Sequence, residues 1–510
     1  MSEIATRVAK NTGYLYLRMS ITVFVSLYTT RLVLNSLGDT DYGIFSIVGG
    51  TIALLGFFNA SLSNSTQRFM SYAEGEGELE KKKYVFNISV LMHFALGLAI
   101  ASLLILLGSF FFDSLLNIPE ERIEAAIVVY SSLIISTTFT VMSVPYEAVL
   151  NAHENMKYFA VVGILESLLK LIVALICVYT LRDKLIIYGI LMACIPVVIL
   201  IVMRIYCHYK YDECVISPRL FFDRVLAYKM ISFAGWSFLN SVASMTTMQG
   251  MAILLNIYGG VIVNTAHGIA NQLSGQLMSF SNTMLKALNP VIVKSCGAGS
   301  NKQMLDAAQT GNKFSYSLYA VFAIPFIIET PYILHLWLDL VPEWSVLFVR
   351  LVLLRLLLSQ MSITFETCVA ATGVIRNMNV INSIIWISPL VFCFILYEMN
   401  FPIYTIYVLL ILMVLLRSIN TIYFCKRLCG LHVLHFLLNT FLPCCIVSFI
   451  VLLLLFFIHV SMELSLFRLL SVIIVGILSF ILLSFFIIFD KTERNLVFDM
   501  FKQFKNRLKK

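Results

Sequence analysis

Apolar runs of about 20 residues recur from one end of the chain to the other, separated by short polar breaks. That is the length a helix needs to cross a hydrocarbon core about 30 Å thick. In lipid a backbone segment must satisfy its own hydrogen bonds, so each run reads as a helix. The runs are continuous rather than alternating, which argues against a barrel. The pattern predicts an all-α polytopic membrane protein of about fourteen transmembrane helices. They cover 14–36, 42–64, 84–112, 124–149, 159–181, 185–207, 227–256, 262–288, 312–338, 345–372, 378–399, 402–424, 438–459 and 465–489. The loops between them are short, and none is a domain.

A short repeat divides the pattern. Leu34-Asn35-Ser36-Leu37-Gly38 precedes Tyr42-Gly43-Ile44, and Leu255-Asn256-Ile257-Tyr258-Gly259 precedes His267-Gly268-Ile269. Each copy is followed by a basic residue, Arg68 or Lys294, and then by a loop of small residues. Two pseudo-symmetric six-helix lobes in the same orientation are expected, over 1–215 and 216–430, followed by two further helices in 431–490 and a basic tail, 491–510. Parallel repeats of this kind build transporters with a site between the lobes.

Composition agrees with this class and charge orients it. Sixty per cent of the residues are hydrophobic and 13% charged, against roughly 25% charged in a soluble domain. With the N-terminus inside, the inner segments hold 25 Lys and Arg and the outer loops only Arg122, Arg182 and Lys184. This is the positive-inside bias, with both termini cytoplasmic, and it accounts for the net charge of +8. Residues 1–13 are polar and no small-residue cleavage site follows, so the first run reads as a retained helix. The tail alternates Val497, Phe498, Phe501 and Phe504 with lysines, as a basic amphipathic helix on anionic membrane lipids does. No nucleic-acid partner is expected. The eleven cysteines are scattered and complete no zinc pattern, so neither a metal nor a disulfide framework follows from them.

The eighth span carries the most chemistry. At about 100° per residue, Asn264, Gly268, Asn271, Gly275, Ser279, Asn282, Lys286 and Asn289 share one narrow face, flanked by His267 and Gln272. Ala266, Ile269, Leu273, Leu277, Phe280, Met284 and Leu288 lie opposite. A polar stripe along a membrane helix should not face lipid. It lines either a water-filled cavity or a packing interface knit by amides and small residues.

Other ionisable residues fall inside spans. Arg18 and Arg31 lie thirteen residues apart in the first, about 140° apart around a straight helix. Glu166 and Lys170 have the spacing of an intrahelical ion pair. Arg355 and Glu366, eleven apart in the tenth span, fall nearly on one face, and Glu147 follows Pro145 near the inner end of the fourth. The set is mainly cationic: Arg18, Arg31, Lys286 and Arg355 suit an anion such as a pyrophosphate. Glu147, Glu166 and Glu366 are candidates to compensate these cations or to bind a coupling Na+ or H+. No Gly-x-x-x-x-Gly-Lys-Ser/Thr loop is present, which argues against ATP hydrolysis, and no other cofactor is indicated. Asp39 and Asp41, in a loop of about five residues, read more simply as helix-capping than as metal-holding groups.

The run LNSLGDTDYGIFSIV from Leu34 to Val48 resembles the opening motif of Wzx-type polysaccharide-repeat flippases. Asn264 to Asn271 (NTAHGIAN) is also similar to that family, as is Ala287 to Lys294 (ALNPVIVK), which matches the end of its eighth span. The family belongs to the multidrug/oligosaccharidyl-lipid/polysaccharide exporter superfamily. The likeness is best over 10–90 and 230–310. It implies a non-enzymatic flippase in a bacterial cytoplasmic membrane, with two lobes opening alternately. The implied substrate is an undecaprenyl-pyrophosphate-linked oligosaccharide, with a polysaccharide polymerase and a chain-length regulator as possible partners. It also implies that cations on the first and eighth spans, here Arg18 or Arg31 and Lys286, bind the pyrophosphate. The lipid II flippases have a denser arginine set near the first two spans, so a peptidoglycan role is disfavoured. The competing readings are a small-molecule or drug exporter of the same fold and a membrane polymerase or glycosyltransferase, for which the outer loops are short.

Overall fold

The computed structural model describes residues 2–53, 55–112, 118–338, 340–491 and 493–495. Among these residues there is no strand. The expected amphipathic tail lies outside them from residue 496 onward.

Helices α1 (Ser2–Ala53) and α7 (Arg224–Gly297) are each two helices joined end to end. Gly38 (φ 77°, ψ 172°) interrupts the first and Gly260 (φ 73°, ψ −173°) the second. Both conformations are essentially open only to glycine. The breaks fall at the end of the first sequence repeat and one residue past the second, so the two copies turn the chain at matching places. Between them run α2 (Gly56–Glu76), α3 (Leu79–Phe110), α4 (Ile123–Ala152), α5 (Met156–Tyr179) and α6 (Lys184–Lys210). After α7 come α8 (Asn301–Trp337), α9 (Ser345–Gln360), α10 (Ile363–Thr372), α11 (Arg376–Glu398) and α12 (Thr405–Cys429). The short α13 (Val433–Phe436) leads through a π-helical turn into α14 (Leu442–Ser461), and α15 (Leu466–Leu483) follows.

Among the described residues eleven helices are long and apolar enough to cross a membrane, or twelve when α9 and α10, bent by 43° at their junction, count as one span. The chain is a multi-pass membrane protein, and this count takes α1 and α7 as one span each although both are interrupted at a glycine.

Two compact units divide within α7. One is Asn11–Phe238; the other is Leu239 onward together with the first ten residues. In the first, Val48, Ala126, Val129 and Leu185 form a fully buried centre, and Tyr130 donates its hydroxyl to the Leu104 carbonyl at 2.7 Å. In the second, Tyr316, Phe348, Tyr407 and Leu410 share a core with Val447, Leu455, Val472 and Phe480 of α14 and α15. The last two helices are therefore built into that unit's core.

Candidate functional site

The second half of α7 carries the polar stripe, and its two faces differ as the residue types do. Ala266, Met284 and Leu288 are buried, and Ile269, Leu273 and Leu277 pack half-buried against the second unit's core. Gly268, Asn271, Gln272, Gly275, Asn282 and Lys286 are exposed; Asn264, Ser279 and Asn289 are partly so. The polar face is open along its length.

One edge of that face is fixed by hydrogen bonds. His267 is buried, unlike the stripe it flanks. The Asn271 amide donates to its Nε2 at 2.9 Å, so its proton sits on Nδ1 and is donated to the Tyr407 hydroxyl at 2.7 Å. The imidazole is thus a neutral relay from the open face to α12. Lower down, Ser281 and Ser315 both donate to Gln360 Oε1, at 2.6 and 2.5 Å, tying α7 to α8 and α9. Thr367 donates to Asn289 Oδ1 at 3.1 Å.

The tenth span corrects the helical-face argument. Arg355 lies on α9 and Glu366 on α10, and the bend between them removes the common face. Glu366 instead accepts from Arg417 at 2.7 Å, while Arg417 also lies over the Trp386 ring, 4.6 Å from its centroid. Arg355 is half-buried among Tyr319, Tyr407 and His267, each within electrostatic reach of its charge.

In the first unit a cavity of about 600 Å³ opens between α1, α5 and α6. Arg18, Glu166, Lys170, Tyr42 and Tyr188 line it with a set of hydroxyl side chains. Arg18 lies against Gly163, so close that a Cβ there would meet its Nε at 1.9 Å, and over the Phe159 ring. Glu166 and Glu147 are the carboxylates whose charge acts on it. Glu166 also accepts from Lys170 at 2.7 Å, the intrahelical pair its spacing suggests. Arg31 is exposed and does not line this cavity.

Several charge pairs escaped the sequence reading, although a search of each span for ionisable residues would have found Glu329, His459 and Arg468. Glu329, with no exposed surface, accepts from Arg468 at 2.9 Å and faces His459 at 2.8 Å. Lys313 donates to the buried Glu493 at 2.9 Å. The first set holds α8 to α14 and α15, and the second ties it to the residues just beyond α15. In the first unit, Arg122 donates to Asp41 of α1 at 2.5 Å and to Asp183, just before α6, at 2.6 Å.

The model of the polysaccharide biosynthesis protein family matches residues 8–296. No curated protein sequence matches the chain. Among solved structures, a MATE in the bent conformation is similar with a TM-score of 0.72 at 16% identity, over 84% of this chain and 97% of that one. An outward-facing multidrug resistance MATE family transporter of the MOP superfamily reaches 0.70 at 15% identity, over 83% and 96%. A MOP superfamily transporter from Pyrococcus furiosus, described by the reverse polarity of its binding pocket, reaches 0.68 at 15% identity, over 83% and 96%. The fold is that of these transporters.

Proposed function

The chain belongs to the polysaccharide biosynthesis protein family, and from that premise we propose that it is a flippase for oligosaccharides linked to undecaprenyl pyrophosphate, working by alternating access in a bacterial cytoplasmic membrane. The observation that carries this reading is the open polar face of α7, amide-rich along its length and ending in the exposed Lys286. Such a face is costly against lipid and suits a water-filled cavity. Asn264, Asn271, Gln272, Ser279 and Asn282 offer both donors and acceptors to sugar hydroxyls. Lys286 supplies a cation for the pyrophosphate, and the prenyl chain can stay in lipid. In this reading α1 and α7 each fold into two crossings at their glycine breaks. That adds two spans to the twelve and gives fourteen, with both termini inside. A Na+ or H+ gradient, or consumption of product outside by a polymerase and its chain-length regulator, drives the cycle.

The test is reconstitution. Proteoliposomes holding the purified protein should expose the labelled lipid-linked oligosaccharide to an external lectin. Lys286→Ala should slow this about 10-fold or more, since a charge-assisted contact contributes roughly 1.5–3 kcal/mol. Unchanged flipping in Lys286→Ala would remove the cation from the mechanism. Export of lipophilic drugs with no flipping would replace the reading by a drug exporter.

A further inference from the structure

The flippase reading gives no task to the cavity of about 600 Å³ in the first unit, although its volume lies in the range, roughly 300–1,000 Å³, that holds small-molecule ligands. The Gly38 turn sets both halves of α1 against it: Arg18, Thr22 and Thr30 line it from the first half, Tyr42 and Phe45 from the second. Helix α5 contributes Gly163, Glu166, Ser167 and Lys170, which follow at i, i+3, i+4 and i+7 and so share a face. The Arg18 guanidinium fills the space beside Gly163, one turn from Glu166. Glu166 and Lys170, paired at 2.7 Å, keep 37% and 44% of their side-chain surface accessible, so the polar wall has room beside it. Such a wall is costly against lipid and calls for a polar occupant.

The wall is balanced in charge and rich in acceptors. Arg18 and Lys170 share the lining with Glu166, and the charge of Glu147 on α4 acts on Arg18 as well. The hydroxyls of Thr22, Thr30 and Ser167 donate to carbonyls of their own helices, those of Arg18, Ser26 and Gly163, at 2.7, 2.9 and 3.0 Å. Their protons are thereby committed, and they offer a ligand lone pairs. A pyrophosphate diester brings only acceptors and negative charge, and would meet these lone pairs and a carboxylate. An organic cation would meet Arg18 and Lys170. A sugar ring brings hydroxyls that donate to Glu166 and the three hydroxyl oxygens and accept from Arg18 and Lys170. Phe45 and Tyr188 pack edge to face with centroids 4.8 Å apart, and with Tyr42 they give the cavity an aromatic side for the C–H face of such a ring.

We infer that this cavity is a sugar subsite, an inference that rests on the flippase reading: it takes one uncharged pyranose ring of the lipid-linked glycan and excludes the pyrophosphate. Arg18 is then a donor to sugar hydroxyls, held by the carboxylates acting on it and by the missing side chain at Gly163. The same carboxylates remove Arg18 from the cations available to the pyrophosphate and leave that role to Lys286. The polar side, from α1 and α5, meets the hydroxyls at the rim of the ring, and the aromatic side meets its face. An acidic sugar is disfavoured by the committed hydroxyls and by Glu166.

Titration calorimetry on the full-length protein in lipid nanodiscs tests this. The probes are the water-soluble glycan released by mild acid from the lipid-linked oligosaccharide, and inorganic pyrophosphate. The glycan should bind saturably. Glu166→Gln should weaken it about tenfold or more, because the lost acceptor is charged, and Thr22→Val about threefold. Pyrophosphate should not displace the glycan from the wild type, and should do so in Glu166→Gln, where Arg18 and Lys170 are less compensated. If Glu166→Gln does not fold, Thr22→Val and the wild-type competition decide. Pyrophosphate displacing the glycan from the wild type makes the cavity a phosphate site and overturns the inference. Absent glycan binding, or binding undiminished in both variants, overturns it too. Flipping is measured separately by lectin, so flipping without these losses removes only the subsite, and glycan binding with these losses but no flipping removes only the transport reading.

Discussion

At the scale of single residues, the informative feature is how each intramembrane charge is met. Arg18 has carboxylates acting on it and a glycine beneath it; Glu329 has two basic partners; Arg355 has neither. Gly163 is small because the Arg18 guanidinium occupies the space of its missing Cβ. The obstructing atoms are the end of a flexible side chain, so Gly163→Ala should fold with nearly unchanged Tm while displacing Arg18 from the cavity. A flipping rate lowered at constant Tm would show this, whereas a large fall in Tm would mean that Arg18 cannot move. Glu329 is the opposite case. Arg468→Met leaves that carboxylate buried with His459 at hydrogen-bond distance and the charge of Arg350 within reach, and should cost about 3–5 kcal/mol, read as a lower unfolding midpoint. An unshifted midpoint would show that His459 and Arg350 suffice.

At the scale of elements, close approach and ion pairs at helix ends set the geometry. Gly189 on α6 meets α4 so closely that a Cβ would lie 2.9 Å from Val129 Cγ2 and 3.2 Å from its Cα. Backbone cannot yield as a side-chain tip can, so Gly189→Ala should push the helices apart and cost about 1–3 kcal/mol, as overpacking does. A neutral result in thermal melts would mean that α6 shifts freely along α4. Outside the apolar stretches, hydrogen bonds from Arg122 hold the Asp183 carboxyl below its ordinary range. A group with a depressed folded-state pKa contributes stability above its unfolded value, lost as pH falls through the folded one. Stability should therefore decline below about pH 4, and less steeply in Asp183→Asn, when melts are compared across acid pH.

At the scale of the whole molecule, the last two helices change meaning. By hydropathy they follow a completed pair of six-helix lobes. In the structure their side chains share the core of the second unit, and they supply Arg468 and His459 to Glu329. The residues just beyond α15 supply Glu493 to Lys313. A chain ending after residue 430 would strand both buried charges on α8. It should fail to accumulate in the membrane fraction, while wild-type abundance of that truncation would show α14 and α15 to be dispensable.

Much of this was already legible from the residues in order. Apolar runs determine that the chain is helical and spans a membrane, because lipid permits little else. The 3.6-residue period likewise put Asn271, Asn282 and Lys286 on one side of α7 and Ala266, Met284 and Leu288 on the other, since a single unbroken helix obeys it. The same rule misled at Arg355 and Glu366, where the helix breaks between them. Only the tertiary structure decided the partners: Glu366 with Arg417, Glu329 with Arg468, Arg18 against Gly163, and Arg355 with no ion pair among the described residues. Periodicity reports which face a residue occupies on its own helix, but ion pairs form between helices, and their register is set by side-chain packing that no local pattern records.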